Sequence, residues 1–71
     1  MNLTQATTLT NSILIELGIE GNDVLSLIQD MIIDHGSIES DEILITLEAE
    51  LGIAYSILED TQAYDDYILA D

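Results

Sequence analysis

Ser37-Ile38-Glu39-Ser40-Asp41-Glu42-Ile43-Leu44-Ile45-Thr46-Leu47-Glu48-Ala49-Glu50-Leu51-Gly52 is the run of residues that decides the fold. Gly36 breaks the chain before it and Gly52 closes it. Ile43, Leu44, Leu47 and Leu51 recur at the spacing of one buried helical face. Glu48 falls on the flank of that face and Glu50 points away from it. Ser37 and Ser40 are both of the type that caps a helix start, and the acids beside them suit the positive end of the helix dipole. A helix from Ile38 to Leu51 is expected, stopped by glycine.

The same period appears on either side. Leu3 to Leu17 places Leu3, Ala6, Leu9 or Thr10, Ile13, Leu14 and Leu17 on one face, with Gly18 as the stop. Its Thr-rich opening leaves the start open. Residues 22–35 fit either a helix capped by Asn22 or Asp23 or an ordered apolar loop. Val24, Leu27, Ile28, Met31, Ile32 and His35 share a face there, but Leu25 and Ile33 broaden the stripe. From about Ala54 to Leu69 a last helix is expected, with Ile57, Leu58, Thr61, Tyr64, Ile68 and Leu69 inward and Glu59, Asp60, Asp65 and Asp66 outward. Strand alternation is absent. The expectation is an all-α fold, a small bundle of three to four helices, forming a single domain over residues 1–71. Glu16-Leu17-Gly18-Ile19 is echoed by Glu50-Leu51-Gly52-Ile53, which reads as two helix ends that each turn an isoleucine back into the core.

Composition limits what such a bundle can do. The chain has 71 residues and a hydrophobic content of 48%, which is too apolar for a disordered acidic tail. A chain of this length buries only about 60% of its unfolded surface, so the core is small. With twelve Ile, eleven Leu, no Phe and no Trp, that core is aliphatic. There is no Cys, hence no disulfide framework and no thiolate zinc site. No apolar run is long enough for a membrane span and no basic signal peptide opens the chain, so a cytoplasmic protein is expected.

Charge limits it further. Fifteen acids, no Lys and no Arg give a formal charge of −15. Direct nucleic-acid binding and attachment to an anionic membrane both need cationic side chains. Two carboxylates 10 Å apart in water repel by only about 0.4 kcal/mol, but fifteen of one sign accumulate. The melting temperature is therefore expected to rise with ionic strength or with Mg²⁺ or Ca²⁺. The same charge steers basic partner proteins toward the chain. Residues 1–35 carry five acids and residues 36–71 carry ten, so the second half is the expected docking half.

Few residues could carry chemistry. Paired carboxylates are too common here to indicate a catalytic dyad, and the stretch from Asp60 lacks the ligand alternation of a calcium loop. His35, the one His, reads as a partly buried ring near a helix start. Ser37 has two readings: an N-cap, or the anchor of a phosphate ester at a helix mouth, where free N–H groups tolerate an anion.

At these residues the sequence resembles an acyl or peptidyl carrier protein. That family begins its second helix with Asp-Ser-Leu and continues into an acidic amphipathic stretch. Ser37 to Ile53 matches the pattern without a gap, Ile13 to Ile19 resembles the end of the family's first helix, and Asn22-Asp23-Val24 resembles the step that follows. The separation of nineteen positions between Gly18 and Ser37 is close to the family spacing, and Thr61 with Asp66-Tyr67-Ile68 resembles its last helix. The resemblance implies that Ser37 carries 4′-phosphopantetheine, attached by a phosphopantetheinyl transferase, with Ser40 as second choice. The arm would hold an acyl or aminoacyl thioester, and the chain itself would not be an enzyme. Glu39, Asp41, Glu42 and Glu48 would dock on basic patches of acyl-loading and acyl-processing enzymes. The cargo could belong to fatty acid, polyketide or nonribosomal peptide biosynthesis. Three features depart from the pattern: Gly36 replaces the Asp, with His35 and Gly36 reversing the order of peptidyl carriers; Ile53 to Thr61 is short, so the third helix is expected to be reduced or fused with the last; and Lys and Arg are missing altogether. The rival reading is an acidic inhibitor or DNA mimic presenting Asp23, Asp30 and Asp34, or Glu59 and Asp66, to a nucleic-acid-binding partner.

Overall fold

Five helices follow one another in a computed structural model that describes residues 1–69. Helix α1 spans Leu3–Leu17, α2 Asn22–His35, α3 Ser40–Leu51, α4 Tyr55–Glu59 and α5 Gln62–Leu69. No strand occurs among the described residues. The expected all-α bundle is what the chain forms, with four helices of substantial length and one short one.

The start of α1, open in the sequence, is set by a capping box. Gln5 N–H donates to Asn2 Oδ1 at 2.9 Å, and Asn2 N–H donates to Gln5 Oε1 at 3.1 Å. Gly18 and Gly52 end α1 and α3 in the left-handed conformation, and Ile19 and Ile53 pack against the core just after them. Residues 22–35 resolve as a helix, whose N-cap is Gly21 rather than Asn22 or Asp23.

The core is one aliphatic cluster. Ala6, Leu9, Ile13 and Leu14 of α1 meet Val24, Ile28 and Ile32 of α2, Ile43, Leu44 and Leu47 of α3, Leu58 of α4 and Tyr64 of α5. Helix α1 is its spine, packing most extensively on α2 and α5, while α3 leans on α2 and α4. Several positions read as inward are not. Leu3 is 43% exposed, Ile68 49%, Ile57 53% and Leu69 80%. The last three belong to a segment whose helical phase is reset, because the expected single helix from Ala54 to Leu69 is two helices broken at Asp60 and Thr61. The short fourth helix is thus separate rather than fused.

Candidate functional site

The connection between α2 and α3 consists of Ser37, Ile38 and Glu39, with Gly36 at the end of α2. Ile38 anchors it. Its side chain is buried, its N–H donates to Met1 O at 3.2 Å, and its carbonyl accepts from the Met1 amino group at 2.6 Å. Those two bonds hold the link extended beside the start of the chain. They also delay the helix: α3 begins at Ser40, with Glu39 as its N-cap, and not at Ile38. Ser37 is therefore no cap. It is exposed, and none of the hydrogen bonds among the described residues uses its hydroxyl. Gly36 has φ 86, a conformation that an Asp would adopt only under strain. The backbone itself thus favours glycine where the resemblance would place Asp. His35 is exposed, contrary to the expected partly buried ring, because it lies at the last residue of α2 beyond the buried face that ends at Ile32.

Ser40 behaves differently. It is half-buried in the first turn of α3, and its Oγ lies 3.5 Å from the hydroxyl of Tyr64. Glu39, Asp41 and Glu42 are exposed around this end of the helix, and no side chain caps it. Only the backbone contributes, with Glu42 N–H donating to Glu39 O at 3.1 Å. Glu48 is also exposed but is already engaged, since Tyr55 N–H donates to its Oε2 at 2.8 Å and so begins α4. Of the four acids expected to dock a partner, three gather at the start of α3 and the fourth lies at its far end with a structural task. Tyr55 reports the local field. Its phenol is pushed above the usual 10.0 by lost solvent and by Tyr64, Asp41, Glu59 and Glu48.

The acid that matters most to the architecture was not singled out as a site. Glu16 extends from the end of α1 to the start of α5, where Gln62 N–H donates to Oε2 at 2.8 Å and Ala63 N–H to Oε1 at 2.9 Å. Thr61 completes the set: its Oγ1 accepts from Tyr64 N–H at 3.3 Å and donates to Leu58 O at 2.7 Å. Among the described residues no group of three or more His, Asp or Glu side chains could hold a metal ion, and no helix is long and apolar enough to cross a membrane. No protein-family model matches the chain, and no curated protein or solved structure matches it.

Proposed function

We propose that this chain is a cytoplasmic carrier protein, not itself an enzyme, that holds an acyl or aminoacyl group as a thioester on a 4′-phosphopantetheine arm at Ser37. The observation that carries the reading is an exposed serine hydroxyl without a hydrogen-bond partner, in a three-residue link, at the approach to an acidic helix whose N-terminus no side chain caps. A phosphopantetheinyl transferase can reach such a hydroxyl. Attachment forms the bond from Ser37 Oγ to phosphorus and displaces the adenosine bisphosphate half of coenzyme A, with the serine proton passing to the transferase. The arm supplies the thiol that a chain without Cys lacks. Because α3 starts at Ser40, the phosphodiester would project from the link into solvent rather than crown the helix axis. Glu39, Asp41 and Glu42 would then steer basic patches of loading and processing enzymes toward the arm, with fast and salt-sensitive association. Glu48 would add charge at the other end of α3 while holding α4.

Intact mass after incubation with coenzyme A, Mg²⁺ and a broad-specificity transferase tests this. The expected result is a gain of one pantetheine arm that Ser37→Ala abolishes. A gain that survives Ser37→Ala but not Ser40→Ala moves the site to Ser40. An unmodified chain that displaces DNA from a nucleic-acid-binding protein replaces the reading with that of an acidic mimic.

A further inference from the structure

Helices α1 and α5 leave an open trough of about 770 Å³ between them. Leu9 lies on its floor, Ala63 and Tyr67 form the α5 wall, and Ile15 stands on the α1 side with 71% of its surface in water. Two carboxylates, Glu16 and Asp66, line the same trough. Both Glu16 oxygens accept from amides of α5, and Asp66 Oδ1 accepts from the Gln62 side chain at 2.7 Å, while its Oδ2 has no hydrogen-bond partner among the described residues.

We infer that this trough is a docking groove for an amphipathic helix of another protein, one whose apolar stripe is flanked by Lys or Arg. The shape selects a helix over a small molecule. A small ligand binds well where most of its surface is enclosed, and this site is open along one side. An amphipathic helix needs only one face covered, with apolar anchors recurring every three or four residues. Charge selects the partner. A second copy of this chain would bring another −15 and no Lys or Arg to pair with Glu16 or Asp66, so self-association through the groove is opposed. A basic amphipathic helix satisfies both the apolar floor and the acids. The groove does not depend on what Ser37 carries.

The test uses the whole chain and a synthetic amphipathic peptide of leucine and lysine about fifteen residues long, four helical turns. Amide chemical shifts are followed during titration at physiological salt. The expected changes concentrate on α1 and α5 around Thr8, Ser12 and Ala63. Ile15→Ser is expected to weaken binding roughly tenfold, the equivalent of one lost apolar anchor. Ile33→Ser, which removes a side chain of equal exposure (70%) from α2, is expected to change it less than about twofold. Both replaced residues are solvent-facing, so circular dichroism should report an intact fold. The inference is overturned if the shifts spread over the acids of α3, if Ile33→Ser weakens binding as much as Ile15→Ser, or if sedimentation shows dimers that Ile15→Ser dissolves.

Discussion

Helices α3 and α5 both start beside acidic residues, yet their first turns are left in opposite states. The first three amides of α5 all have side-chain acceptors, two from Glu16 and one from Thr61. The first turn of α3 has none. The difference follows from packing. Helix α5 has eight residues and buries only Tyr64, so it is far below the length at which an isolated helix holds itself together. Helix α3 has twelve residues and buries Ile43, Leu44 and Leu47 completely, so packing holds it and its N-terminus can stay open. Between these two helices the caps sit where burial is thin, and the start without them is the one that follows the link carrying Ser37.

The contrast can be broken hardest from the packing side. Leu44→Ala should remove about 3 kcal/mol, a cavity loss in a fully buried site, and lower the urea midpoint of the whole domain. Next comes the capped side. Glu16→Ala should cost about 1–2 kcal/mol by orphaning two amides, with faster hydrogen exchange confined to Gln62 and its neighbours. Glu16→Gln, which keeps one acceptor, should cost roughly half as much. A uniform loss of protection across all five helices would reject this local role. The contrast can also be narrowed. Glu39 has φ −83 and ψ 154, the extended geometry of an N-cap, and lies three residues before Glu42. Glu39→Ser should therefore complete a capping box and raise stability by about 0.5–1 kcal/mol in thermal unfolding. The smallest effect is one of pH. Because folding pushes the Tyr55 phenol above 10.0, the folded chain keeps that proton longer than the unfolded one. Its contribution is complete below pH 10.0 and falls as pH rises through the folded value, and Tyr55→Phe should flatten that alkaline decline.

Much of this was legible from local pattern. The end of α1, the glycine stops at Gly18 and Gly52, and the buried stripe of Ile43, Leu44 and Leu47 follow from spacing and punctuation alone, whereas the start of α1 needed its capping box. The misread regions are those where a distant group overrides a local signal. Ser37 and Ser40 look like caps, but the Met1 bonds to Ile38 hold the link extended and push the helix start to Ser40. The break at Asp60 and Thr61 has no glycine or proline to announce it. It is made by a carboxylate 46 positions before Gln62 and by a threonine that is both core residue and cap, so reading Thr61 as merely inward missed half of its role. At the candidate site, the exposure of Ser37, the glycine conformation at Gly36 and the structural use of Glu48 all needed the backbone and its contacts.

The clasp from Glu16 to Gln62 has a kinetic corollary. Closing a segment that long is entropically slow, so α5 should condense onto a nucleus that α1, α2 and α3 have already assembled. A change at Glu16 would then leave the refolding rate nearly untouched and appear almost wholly as faster unfolding, making the C-terminal helix the last to join and the first to leave.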